Sequence, residues 1–147
     1  MMFILDTNVV SELRKVPSGK AYERVSHWAN SVDINELYLS VITVHELEIG
    51  VLRLERRDPR QGAVLRSWLD LHVLPTFQGR VLPVDEAVAL CGAQLHIPDS
   101  QPLFDGLIAA TALVHGMTVV TRDAADFLPC GVSVLNPWQG GDAARAL

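Results

Sequence analysis

The sequence predicts an α/β fold, a three-layer arrangement with a central, mainly parallel β-sheet flanked by helices. Three observations predict it. Short apolar runs of strand length recur at Met2 to Leu5, Leu37 to Ser40, Arg80 to Pro83, Met117 to Thr121 and Val132 to Leu135. Segments with helical spacing lie between them, so successive strands are joined by crossovers rather than hairpins. A chain of 147 residues, 49% hydrophobic and 20% charged, holds enough apolar material for the core of one domain.

The elements follow in order. Met2 to Leu5 ends in Asp6-Thr7-Asn8, which stops a strand and caps a helix from about Asn8. After Pro17-Ser18-Gly19, the spacing of Tyr22, Val25, Trp28 and Ala29 predicts a second helix. Leu37 to Ser40 is the next strand. Thr43-Val44-His45-Glu46 matches a capping box, which would put Glu46 in the first turn of a helix with an apolar stripe of Val44, Leu47, Val51 and Leu54. Asp58-Pro59 interrupts that helix after Arg57. Val64, Leu65, Trp68, Leu69 and Leu71 continue in helical spacing, and Arg80 to Pro83 is extended. Asp85 caps a helix to about His96, and Ile97 to Pro102 reads as a loop. Leu103 to Val114 forms a helix stopped near Gly116, followed by the strand Met117 to Thr121. Arg122 to Phe127 is a loop and short helix, Val132 to Leu135 the last strand, and residues 139–147 an unstructured tail.

Composition narrows the function. No apolar stretch reaches the ~20 residues of a membrane span, and the start lacks the basic region of a signal peptide. A cytoplasmic protein with free Cys91 and Cys130 is the expectation. The net charge of −5 argues against a wholly basic surface but not against nuclease action. Arg53, Arg56, Arg57, Arg60 and Arg66 are concentrated in one stretch. They read either as a solvated helix face with partners such as Glu55 and Asp58, or as a patch for RNA or a partner.

In a parallel α/β sheet, sites form beyond the carboxyl ends of the strands. Asp6 and Asp123 directly follow strands, while Glu46 and Asp105 fall near the starts of crossover helices, so four carboxylates could meet at that edge. Asp105 is the most informative, because helical spacing aligns it with Ile108, Ala109 and Ala112 in a packed stripe. Crowded carboxylates raise one another's pKa unless a cation joins them, and hard oxygen donors favour Mg²⁺ or Mn²⁺. Such an ion suits phosphodiester hydrolysis. Each residue also has a plainer reading: Asp6 as an N-cap, Glu46 as the closing residue of a capping box, and Asp105 and Asp123 as complements to helix dipoles. Asp126 is left between a peripheral site role and a surface turn. His27, His45, His72, His96 and His115 show no ligand spacing or triad order, so metal-free RNA cleavage and serine-type hydrolysis lack a general base. Trp28, Trp68 and Trp138 read as packing residues rather than base-stacking platforms.

Four segments carry a resemblance. Phe3-Ile4-Leu5-Asp6-Thr7-Asn8-Val9-Val10-Ser11-Glu12, Ser40 to Gly50 around Glu46, Phe104 to Ala112 around Asp105, and Val119 to Phe127 around Asp123 resemble, in order, the motifs of PIN-domain ribonuclease toxins of the VapC/FitB-like family. Val134-Leu135-Asn136-Pro137-Trp138 is similar to the ending of the FitB type, so the resemblance covers residues 1–138 as a PIN domain. It implies a PIN fold and Mg²⁺ or Mn²⁺ held by Asp6 and Asp105, with Glu46 and Asp123 completing the pocket. Thr7, Asn8 and Thr121 match supporting polar positions. The implied activity is RNA cleavage by the toxin of a type II toxin–antitoxin system. The implied partners are a second copy in a homodimer and a small antitoxin whose tail blocks the site and whose other end binds DNA. Many members carry Asn where this chain has Asp123.

Two rival readings compete with this one. One is a non-catalytic PIN-fold subunit of an antitoxin–DNA regulatory complex, disfavoured because all four acidic positions are present. The other is a phosphorylated receiver or aspartate-nucleophile phosphatase, which lacks its late lysine: only Lys15 and Lys20 occur. No phosphate-binding Gly-x-x-x-x-Gly-Lys loop exists either.

Overall fold

A computed structural model describes residues 1–139 and 145–146. The strands are β1 (Phe3–Leu5), β2 (Leu37–Ser40), β3 (Val81–Leu82), β4 (Thr118–Val120), β5 (Val134–Leu135) and β6 (Arg145–Ala146). They form one sheet in the order β3-β2-β1-β4-β5-β6, in which β1 to β5 run parallel and β6 pairs antiparallel with β5. The helices are α1 (Thr7–Leu13), α2 (Glu23–Ser31), α3 (Val41–Arg57), α4 (Pro59–Trp68), α5 (Leu74–Thr76), α6 (Glu86–Gln94), α7 (Leu103–His115) and α8 (Ala124–Phe127). The expected α/β class and mainly parallel sheet are found. Of the tail expected over 139–147, residues 140–144 and 147 lie outside the described residues, and 145–146 form β6.

Alternation along the strands divides the core into two layers. Phe3 and Leu5 of β1 pack with Leu37 and Leu39 of β2 and Val120 of β4 on one face, against Val9, Val10, Leu47 and Val51 from α1 and α3. Ile4 and Val119 point the other way, against Ile108, Ala109 and Ala112 of α7 and Phe127 of α8. A strand with successive side chains in opposite layers is buried on both sides, which is why these runs read as continuously apolar. Register places Ile4 beside Tyr38 and Val119, so the carboxyl ends of β1, β2 and β4 lie at one edge.

Two local readings are corrected. α3 begins at Val41, not after Thr43: Ser40 is its N-cap, accepting from the Ile42 amide at 3.0 Å. Thr43 is buried and donates its hydroxyl to the Leu5 carbonyl at 3.4 Å, so it is not free to cap. The strand runs straight into the helix, and Glu46 falls in the second turn. After α4, Leu69–Val73 form a π turn. The wider turn shifts the phase of the stripe, burying Leu69 and Val73 and leaving Leu71 67% exposed.

The remaining punctuation is as the sequence predicts. Asp58 ends α3 and caps α4 through the Gln61 amide at 3.2 Å, with Pro59 in the first turn of α4. Asp85 caps α6, and Gly116 closes α7 in the left-handed region at φ 67°. Cys91 and Cys130 are free. No helix among the described residues is long and apolar enough to cross a membrane.

Candidate active site

Asp6 leaves the end of β1 with only 7% of its surface exposed. Its Oδ1 accepts from the Thr7 amide at 2.8 Å, capping α1, and its Oδ2 accepts from the Thr121 hydroxyl at 2.8 Å. The N-cap reading therefore holds for this residue, and the same carboxylate is bonded across the sheet to Thr121. Burial pushes the Asp6 carboxyl above its ordinary range. The Thr121 and Thr7 hydrogen bonds oppose that shift, and the charges of Glu46 and Asp123 add to it.

The other predicted residues converge on Asp6. The Thr7 hydroxyl donates to Glu46 Oε1 at 2.7 Å, tying the second turn of α3 to the first turn of α1. The Asn8 amide donates to Asp123 Oδ2 at 3.1 Å and reaches Asp6 Oδ2 at 3.4 Å. Thr121, fully buried, accepts from the Asp123 amide at 3.0 Å while donating to Asp6. Asp123 is the N-cap residue of α8 but makes no side-chain capping bond; its carboxylate turns to Asn8 instead. The helix-dipole reading does not account for that orientation.

Asp105 projects from the first turn of α7, in line with the buried Ile108, Ala109 and Ala112. No side chain or amide among the described residues donates to its carboxylate at hydrogen-bond distance. Its pKa is pushed up to about 6, first by burial and then by the charges of Asp6, Asp126, Glu46 and Asp123. All five acidic residues thus share one field, Asp126 included. An edge-on ring contact between His45 and Phe104, 5.5 Å between centroids, joins the start of α3 to the start of α7 and brings Glu46 and Asp105 to the same side.

Two supporting residues were not singled out by sequence. Ser40 positions α3, and hence Glu46, by its cap. Its signal was a hydroxyl at a strand end directly before a helical run, masked by the better match three residues later. Asn136 donates to the Arg122 carbonyl at 3.1 Å and accepts from the Trp138 amide at 2.9 Å, and the Arg122 guanidinium lies 5.4 Å from the Trp138 ring centroid. That clamp holds the loop carrying Asp123. A polar residue at the carboxyl end of β5 was its signal.

The donor set is all oxygen, which suits a hard divalent cation. Among the described residues, no three His, Cys, Asp or Glu groups stand close enough to enclose an ion by themselves. Mg²⁺ does not need such a cage: it typically binds through one or two carboxylates and keeps several waters. Asp105, half-buried and without a donor, fits a cation better than it fits any protein partner.

The chain has known relatives. A family model described as PIN domain matches residues 3–127. Toxin FitB of Neisseria gonorrhoeae is 43% identical over 143 residues, covering 93% of this chain and 99% of that protein. VapC ribonuclease Y4jK of Sinorhizobium fredii is 39% identical over 143 residues, covering 94% and 99%. The solved structure of FitAB bound to an IR36 DNA fragment superposes with a TM-score of 0.83 at 41% identity, covering 93% of this chain and 96% of that one.

Proposed function

The chain belongs to the PIN-domain family, and from that premise we propose that it is a metal-dependent endoribonuclease, the toxin of a type II toxin–antitoxin pair. The observation that carries the mechanism is Asp105: a carboxylate desolvated by burial, without a hydrogen-bond donor, in the field of Asp6, Asp126, Glu46 and Asp123. Relatives named as a toxin and as a ribonuclease support the biological reading.

Asp6 and Asp105 are the ligands we assign to Mg²⁺, with Mn²⁺ as the alternative ion, and Glu46 and Asp123 complete the pocket. When bound, the cation neutralises phosphate charge and acidifies water at neutral pH. The chain holds the carboxylates in place. Thr121 and the Thr7 amide fix both oxygens of Asp6, the Thr7 hydroxyl fixes Glu46, and Asn8 fixes Asp123. Hydrogen bonds to the ionised form also keep Asp6 available for a cation despite its burial. Asp126 stands at the rim as a further source of negative charge.

As partners we assign an RNA substrate, a second copy in a homodimer and a small DNA-binding antitoxin. The complex named FitAB, bound to DNA, supports the last of these. The cytoplasm is the compartment in which RNA, antitoxin and free thiols coexist.

The test is cleavage of a mixed RNA pool by the purified chain, freed of any co-purifying protein, in Mg²⁺, Mn²⁺ or EDTA. Cleavage is expected with either metal and absent in EDTA. Asp6→Asn and Asp105→Asn should each lower it by about 100-fold or more, at least the cost of disturbing a metal's supporting residues. Cleavage persisting in EDTA would overturn the metal mechanism. Folded, metal-loaded protein that cuts no RNA would turn the assignment to the non-catalytic regulatory subunit.

A further inference from the structure

We propose that the exposed face of α3 is an RNA track, along which a single strand leaving the carboxylate site is held by Arg53 and Arg57, with Gly50 as the point of closest approach. This rests on the ribonuclease reading. Glu46, Gly50, Arg53 and Arg57 follow the spacing i, i+4, i+7 and i+11, which places them on one stripe of α3. At 1.5 Å per residue, Arg53 stands about 10 Å and Arg57 about 16 Å beyond Glu46 along the helix axis. Gly50, Arg53 and Arg57 are all exposed.

Among the described residues, the arginines have no intramolecular task. The sequence offered Glu55 and Asp58 as their partners, but the structure assigns those carboxylates elsewhere. Glu55 accepts from Arg66 at 3.1 and 3.2 Å, and Glu48 accepts from the same guanidinium at 2.7 and 2.8 Å. Asp58 caps α4. Among the described residues, Arg53, Arg56, Arg57 and Arg60 enter no ion pair or side-chain hydrogen bond. A helix C-terminus favours cations, which accounts for Arg56 and Arg57 in the last turn of α3. It does not account for Arg53, a turn earlier, or for Arg60, which sits in the first turn of α4, where the helix dipole disfavours a cation. Four of the twelve basic residues of a chain with net charge −5 are thus held together at one hairpin tip, which a polyanion would neutralise.

Gly50 adds an independent observation. A glycine inside a helix is destabilising relative to alanine, and close approach of the backbone to a ligand is one use that offsets the cost. A Cβ built at Gly50 meets nothing within 4 Å, so no described part of this chain requires the glycine. What needs the room is external. Continuity with Glu46 at one end and arginines at the other favours a phosphodiester backbone over an acidic protein.

The test uses the Asp105→Asn chain, which should bind without cutting, and a labelled single-stranded oligouridylate titrated across NaCl concentrations. Adding Arg53→Gln with Arg57→Gln should weaken binding about tenfold and flatten the slope of log affinity against log salt by about 1.4, two phosphate contacts at ~0.7 each. Gly50→Gln should weaken binding while raising the melting temperature, a combination that a purely structural glycine would not give. Lys20→Gln, outside the track, should change neither. Unchanged affinity and slope in the arginine variant, or no RNA binding by the Asp105→Asn chain, would overturn the track. So would a fall in oligomeric mass with RNA affinity retained, which would make this face a contact between copies. The two readings fail separately. An unmutated chain that cuts RNA while its arginine variant binds normally loses only the track, whereas an unmutated chain that cuts nothing loses the ribonuclease reading.

Discussion

At the residue scale, the site depends on hydroxyls and amides that hold carboxylates in place. Thr121 is the clearest case: it is fully buried, and its hydroxyl supplies the largest contribution opposing the upward push of burial on Asp6. Thr121→Val keeps the shape and removes that donor. Leaving a buried carboxylate short of a partner should cost about 1–3 kcal/mol of stability. The Asp6 carboxyl would then titrate higher, so the acidic limb of the pH–rate profile should move upward relative to the unmutated chain. Chemical denaturation and a pH series of RNA cleavage check the two effects; an unmoved limb would show that Thr121 does not tune Asp6. Sequence could nominate Thr121, Asn8 and Thr7 only through resemblance. Their bonds to Asp6, Asp123 and Glu46 span up to 115 positions, far beyond any local pattern.

At the element scale, α3 and α4 form a hairpin whose close approach is set by Gly62. A Cβ there would lie 2.7 Å from the Glu55 amide nitrogen, and backbone cannot step aside as a flexible side chain can. Gly62→Ala should therefore destabilise the protein by about 1–3 kcal/mol through overpacking. The Arg66 guanidinium spans the same hairpin, bonded to Glu48 and Glu55. Gly62 and Gly50 give opposite expectations for the same kind of change: substitution at Gly62 lowers the melting temperature and at Gly50 raises it. Thermal melts of the two variants check this directly. Nothing in the sequence separates the two positions. The difference lies in what each faces: the α3 backbone at Glu55 for Gly62, and open space for Gly50.

At the scale of the whole molecule, the fold assembles five like charges from four segments of chain. Asp105 bears the consequence, with a carboxyl pushed up to about 6 in the protein without metal. A carboxyl raised on folding contributes stability that is fully present below its unfolded value near 4 and is lost as pH rises through about 6. In EDTA, Asp105→Asn should therefore be the more stable chain at pH 7, by about 1 kcal/mol once solvent screening at this half-exposed group is allowed for. The advantage should vanish near pH 4. Mg²⁺ should raise the melting temperature of the unmutated chain at pH 7 and not that of Asp105→Asn, since an ion bound only by the native state stabilises it by mass action. Melting curves across pH, with and without the ion, check both statements, and an equal Mg²⁺ effect on the two chains would remove Asp105 from the ligand set.

The sequence by itself determined the strand and helix order, most caps and the two-sided burial of the strands, and it nominated the acidic residues that the fold brings near one another. These follow from periodicity and end chemistry within single segments, which are local properties. It misplaced the start of α3 because two hydroxyls, Ser40 and Thr43, both suited a cap; burial of Thr43 against the Leu5 carbonyl decided between them. The π turn after α4 was likewise invisible, since an apolar stripe does not show where its phase slips. Only the tertiary structure decided the strand order β3-β2-β1-β4-β5-β6, the mutual approach of Asp6, Glu46, Asp105, Asp123 and Asp126, and the pairing of Glu55 with Arg66 across the hairpin rather than with the exposed arginines. The physical reason is common to all three: each is a choice among partners distant in sequence, settled by which apolar faces bury together and not by the residues on either side.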